Sequence, residues 1–196
     1  VSRSNARPWS RRRRGGFTII ELAVVLIMVG IITGMAIPRL NYQRYRADAA
    51  ARVTRAVLQS SQRMAIMRQT NMLVVFWVAG RRMFIIEDAN NNYAFDTGER
   101  MRVRPLEEGA QFVVPTAQVP GTTMPSQAIS GPNLVTVLGS PTVAFLRDGA
   151  SSSDVNIYIC SARCIKDNQR ALILTQASGR TESWRYAGTS WRRSSL

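Results

Sequence analysis

Histidine is absent from this 196-residue chain, cysteine occurs twice and Lys166 is the one lysine. The missing imidazole removes the usual general base and the commonest metal ligand. Two cysteines, Cys160 and Cys164, are too few for a disulfide scaffold or a thiolate zinc site. Acid is scarce too, with 12 Asp and Glu against 26 Lys and Arg, a net charge of +14. No GxSxG nucleophile motif and no phosphate-cradling glycine loop occurs, so the sequence offers no enzyme. What it has instead is arginine, and hydrophobic residues at 45%, enough for one folded domain and an anchor.

The arginines are unevenly placed. Arg3, Arg7 and Arg11 to Arg14 precede Phe17 with no acid among them, and without them the net charge falls to +8. The basic excess favours an anionic partner, nucleic acid or lipid headgroups, unless it reflects only an arginine-rich coding bias.

Residues 1–16 are polar and end in Arg11-Arg12-Arg13-Arg14-Gly15-Gly16. Phe17 to Ile37 then form an apolar run of 21 residues with one charge, Glu21. As a helix this run measures about 31 Å, a bilayer core's thickness. The arginine block belongs on the cytoplasmic side, which sends everything after Pro38 across. Glu21 costs on the order of 3 kcal/mol at a helix centre and less near an end, where its carboxylate can reach the headgroups. A cut after Gly16 would make Glu21 the fifth residue of the new chain. The freed ammonium of Phe17 could then pair with a Glu21 carboxylate, in the same chain or a neighbour, and set an axial register.

Gly16-Phe17-Thr18-Ile19-Ile20-Glu21-Leu22, behind a basic leader and ahead of an apolar helix with Pro38, resembles the class III signal of type IV pilins and type II secretion pseudopilins. The resemblance implies cleavage after Gly16 by a membrane-embedded prepilin peptidase and N-methylation of Phe17. It also implies docking into a filament through Glu21, and a helix bend at Pro38. Partners would be other pilin or pseudopilin subunits, the peptidase and the inner membrane, with the head in the periplasm and later in a pilus or pseudopilus. Gly34-Met35-Ala36 allows a rival, an ordinary secretory signal cut after Ala36. Glu21 inside the apolar run and the Gly-Gly-Phe junction argue against it.

The expected organisation is a cleaved leader at 1–16, a transmembrane helix at 17–38, an amphipathic continuation at 39–69 and a β-rich head at 70–196. In the continuation Val53, Val57, Ser60, Met64 and Met67 form one stripe, expected to face the head. Beyond Asn71, Met72–Ala79 and Met83–Glu87 flank Gly80-Arg81-Arg82 as a hairpin. Further strands are expected at 100–104, 110–114, 134–138, 142–146, 155–160, 170–175 and 181–186, with a long loop at 115–133. The fold class is therefore α+β, a long N-terminal helix packed on an antiparallel sheet. Trp77, Gly80, Phe84 and Asp88, the acidic loop after them and Gly179-Arg180 are similar to the FimT/GspH-like branch. That likeness implies a minor subunit that initiates or caps a filament.

Three places in the head suggest further chemistry. Asp88, Asn90, Asn92, Asp96 and Glu99 occupy positions 1, 3, 5, 9 and 12 of a twelve-residue calcium-loop pattern. Tyr93 stands where such a loop needs glycine, and the alternative, weighed ahead of calcium, is an Asn/Asp turn closed by its own hydrogen bonds. Cys160 and Cys164 would meet an oxidising compartment after export and form a cross-turn disulfide, the alternative being two free thiols. Arg180, Arg185, Arg192 and Arg193 alternate with Trp184, Tyr186 and Trp191, a pattern that fits DNA as well as a solvated face. Some FimT-like pilins take part in DNA uptake, and this tail resembles theirs.

Overall fold

The computed structural model describes residues 16–36, 42–106 and 109–194. It falls into two units, Val1–Asn41 and Tyr42–Leu196. In the first, α1 runs from Ile19 to Ala36. Thr18 starts it: its Oγ1 accepts the N–H of Glu21 at 3.3 Å and its carbonyl accepts that of Leu22 at 3.2 Å. This is the N-cap arrangement, in which a side-chain oxygen satisfies a donor of the first turn. Phe17 and Thr18 therefore stay outside the helix, which begins two residues later than the apolar run. Pro38, the expected bend, lies outside the described residues.

The second unit opens with α2, Tyr42–Arg68, rich in Ala, Arg and Gln. Its buried stripe is Ala47, Ala50, Ala51, Thr54, Val57, Leu58, Ser61 and Ala65. The expected stripe was displaced: Val57 is buried, Val53, Ser60 and Met64 are half-buried, and Met67 is 82% exposed. Small side chains mark the true contact face because the helix lies close on the sheets; Met67, near the helix end, overhangs them.

Eleven strands follow: β1 Asn71–Trp77, β2 Arg82–Asp88, β3 Met101–Pro105, β4 Ala110–Phe112, β5 Ile129–Ser130, β6 Val135–Val137, β7 Ser140–Phe145, β8 Val155–Ser161, β9 Arg170–Leu174, β10 Thr181–Ala187 and β11 Ser190–Ser194. They pair antiparallel in two sheets rather than one, β3-β2-β1-β7-β6 and β11-β10-β9-β8-β4, with β5 on β8. The main core joins α2 to both sheets through Leu58, Phe76, Met83, Phe145, Ile157 and Leu172. β1 reads as an unbroken apolar run because both its faces are covered. Val74 and Phe76 face α2, while Leu73 and Val75 meet Phe84, Val135 and Phe95 on the other side. The α+β architecture agrees with the sequence. β5 breaks the expected loop at 115–133, and β11 adds a final strand that the sequence reading did not expect.

Candidate processing site and the basic faces of the head

Gly16, Phe17 and Thr18 lie outside the helix and are exposed, Phe17 at 82%, with Thr18 as the cap. Every apolar residue from Ile19 to Ile32 with a large side chain is exposed, so α1 has no polar side and no partner among the described residues of its unit. A helix apolar all round is stable only in lipid or among other helices. Among the described residues, however, no helix is long and apolar enough to cross a membrane. The 18 residues of α1 measure about 27 Å against a bilayer core of about 30 Å. The apolar run continues in the sequence to Ile37, outside the described residues.

The loop at 88–99 is closed by its own groups. The buried carboxylate of Asp88 accepts the N–H groups of Asn92 and Tyr93, both at 3.0 Å. Asp96 accepts the amides of Asn90 and Asn92, each at 2.7 Å, and these bonds hold its carboxyl below the ordinary 3.8. Glu99 takes the N–H groups of Ala89 and Asp96 at 2.9 and 3.0 Å. Tyr93 adopts φ +60°, so the sixth position makes the left-handed turn without glycine. Among the described residues no group of three His, Cys, Asp or Glu is placed to hold a metal. The five calcium candidates lie in one loop, but their oxygens serve peptide N–H groups and amides. The same loop seats Phe95 on the outer face of the first sheet.

At the tail, β10 and β11 pair Trp184 with Arg193, Arg185 with Arg192 and Tyr186 with Trp191. Tyr186 and Trp191 pack edge to face at 5.4 Å beside Tyr158, both nearly buried, and the Trp191 indole N–H bonds to the Ala117 carbonyl. They are core, not a stacking platform for bases. Arg193 lies over Trp184 and bonds Glu182 through both carboxylate oxygens at 2.5 Å. Arg180, Arg185 and Arg192 are exposed. Arg55, Arg180, Thr181, Glu182 and Arg193 line an open cleft of about 290 Å³. Cys160 and Cys164 form a disulfide, Cα atoms 5.5 Å apart, with Cys160 buried.

Residues 11–37 match the prokaryotic N-terminal methylation motif. Over 101 residues the chain is 34% identical to the pilin-like protein PilA1 of Thermus thermophilus, 49% of this chain and 62% of that one. Residues 11–37 thus carry an N-terminal methylation motif, and about half of the chain is similar to a pilin-like protein. The chain spans less than two thirds of that relative. Among solved structures, the minor pseudopilin EpsH of the Vibrio cholerae type 2 secretion system superposes with a TM-score of 0.49 at 14% identity, over 73% of this chain and 99% of that one. The type IV minor pilin FimU of Pseudomonas aeruginosa gives 0.48 at 14%, over 78% and 95%.

Three parts of the chain escaped the sequence reading or gained a reason. Thr18 was legible as the first residue of a Thr-x-x-Glu cap. Trp77 stacks on Phe84 with ring centres 6.0 Å apart. A Cβ at Gly80 would sit 2.5 Å from Cδ2 and Cζ3 of Trp77, so the turn needs glycine beside that ring. Gln62 on α2 donates to the carbonyls of Gly149 and Ser178 at 2.7 and 2.9 Å. Gly179, at φ +59°, leaves room for that amide. Gln62 joins residues 87 and 116 positions away, and no local pattern announces it.

Proposed function

We propose that this chain is a minor pilin or pseudopilin subunit, structural rather than catalytic, which initiates or caps a type IV pilus or a type II secretion pseudopilus. The carrying observation is the exposed, non-helical Gly16-Phe17 junction directly ahead of a Thr18-capped helix that is apolar but for Glu21. A protease needs an extended substrate, and the cap keeps the junction from being drawn into the helix. Prepilin peptidase cuts after Gly16 and methylates Phe17. The new ammonium and Glu21 neutralise each other in the apolar surroundings where either alone is costly. The helix anchors the chain in the inner membrane with the head in the periplasm, and other subunits cover its exposed apolar surface.

Coexpression with a prepilin peptidase, followed by intact mass and N-terminal sequencing, tests this. The expected product begins at N-methylated Phe17; a product beginning at Ile37, or an uncut leader, would sink the proposal. Filament counts in a strain lacking the protein test initiation, which predicts fewer filaments of unchanged subunit composition.

A second reading, a DNA-binding minor pilin of a transformation pilus, is supported by exposed Arg180, Arg185 and Arg192 and the cleft between Arg180 and Arg193. Phosphate contact without base stacking predicts weak, steeply salt-dependent binding. A gel shift at low salt that disappears in the Arg180→Gln, Arg185→Gln, Arg192→Gln variant supports it, and no shift at low salt ends it.

A further inference from the structure

We infer that the free edge of β3 is a docking strand for an extended acidic segment of a partner protein, one that alternates Asp or Glu with apolar residues. The inference stands on β3 alone and is independent of the filament role. β3 ends the first sheet, and all five of its residues are exposed. The Glu87 N–H bonds to the Arg100 carbonyl at 3.0 Å and the Leu106 N–H to the Arg81 carbonyl at 2.9 Å. With Ile85 opposite Arg102 and Met83 opposite Arg104, the backbone groups of residues 100, 102 and 104 are directed to β2. Those of Met101 and Val103, and the Pro105 carbonyl, face outward, the half-ladder that strand addition uses.

The two faces of this edge differ in chemistry. Arg102 and Arg104 lie opposite the core residues Ile85 and Met83, and Arg100 continues their row opposite Glu87. Met101 and Val103, each near 45% exposed, continue the stack of Phe84 and Trp77 on the opposite face. Arg81 and Arg82 add two more exposed cations at the far end. The nearby acids are committed: Glu87 to Arg68, and Glu99 to the N–H groups of Ala89 and Asp96. Glu107 and Glu108, which follow the strand, lie outside the described residues. A second copy of β3 would set arginine beside arginine, and like charges across a strand pair are unfavourable. Arginine thus guards the edge against its own kind, while an acidic strand converts the same row into attraction. Pro105, lacking an N–H, closes one end of the ladder and limits the added strand to a few residues.

The probe is a labelled, end-blocked peptide of alternating Glu and Val, titrated into the full chain in neutral detergent micelles. Saturable binding in the range of about 10 μM is expected, weakening with salt. The amides of Met101 and Val103 should gain hydrogen-exchange protection. Arg102→Glu with Arg104→Glu, two exposed positions, should weaken binding at least about tenfold, or about 1.4 kcal/mol. Val103→Pro, which keeps every charge and the ladder to β2, should do the same by removing an outward N–H. Equal binding of a peptide N-methylated at alternate amides, or of a Lys-Val peptide, would overturn strand docking. So would tighter binding of a DNA duplex through the same arginines, which would make the edge a phosphate surface.

Discussion

The contact that decides how α2 sits on the second sheet is the ion pair between Asp48 and Arg170, and its removal tests that account. Arg170 Nε donates to Asp48 Oδ1 at 2.5 Å; the arginine side chain is 3% exposed and the aspartate 28%. Breaking a buried pair from one side costs about 3 to 5 kcal/mol when a bare charge is left behind. Here Arg170 keeps the carbonyls of Asp167 and Gln169 at 3.0 and 2.9 Å, and Asn at 48 still offers an oxygen. The expected cost of Asp48→Asn is therefore lower, about 2 kcal/mol. For a unit of this size that lowers the melting temperature by about 4 to 8 °C. The Asp48→Leu, Arg170→Met double variant replaces both charges with apolar groups and should recover most of the loss. Circular dichroism melts of the wild type, Asp48→Asn, Asp48→Leu, Arg170→Met and the double variant in one detergent measure the single cost and the cycle. A shift under 1 °C for Asp48→Asn, or a double variant as unstable as the two singles added, would refute the reasoning. Added salt should weaken the coupling only in part, since Arg170 is buried while Asp48 is partly exposed.

Gly80→Ala should displace the Trp77 ring from Phe84 at a cost of about 1 to 3 kcal/mol, read as a lower melting temperature. In a Trp77→Ala background the same substitution should cost almost nothing, and a persistent cost would exclude the ring as the cause. Reduction of Cys160–Cys164, or their replacement by serine, should cost about 2 kcal/mol, since the closed loop is short; an unchanged melt in reductant counts against it. Asp96 has its folded-state pKa lowered by Asn90 and Asn92, so its contribution is present above the ordinary 3.8 and lost as pH falls through the lower folded value. Acid titration followed by NMR should loosen residues 88–99 only below the ordinary carboxylate range, and loosening near neutrality would contradict the hydrogen bonds described. Millimolar calcium should leave the melting temperature unchanged, because the loop oxygens are already engaged; a rise of several degrees would reverse that view.

Much of the molecule was legible because the signals are local. A Gly-Phe junction after four arginines, one Glu in an apolar run and a Thr three residues before it concern neighbours in the chain, and helix starts obey short-range rules. The hairpin of β1 and β2 and most strand positions came from alternation and turn residues. The stripe on α2 came out displaced because hydrophobicity alone marks large side chains, whereas the real contact face is built from Ala, Thr and Ser that let helix and sheet approach. The tail was only partly legible for a related reason: alternation of Arg with Trp and Tyr tells which residues share a face, not whether that face is covered. Ala117 and Tyr158, far away in sequence, cover it.

The sequence by itself therefore determined the N-terminal methylation motif, the single acid in the apolar helix, the α+β class and the cysteine pair, all set by spacing along the chain. Only the tertiary structure decided that the strands divide into two sheets under α2. It alone showed that Trp191 and Tyr186 are core, that the acidic loop satisfies itself, and that β3 is left with an arginine-lined free edge. Those outcomes depend on which distant surfaces meet, and burial, unlike helix capping or strand alternation, has no fixed spacing in sequence.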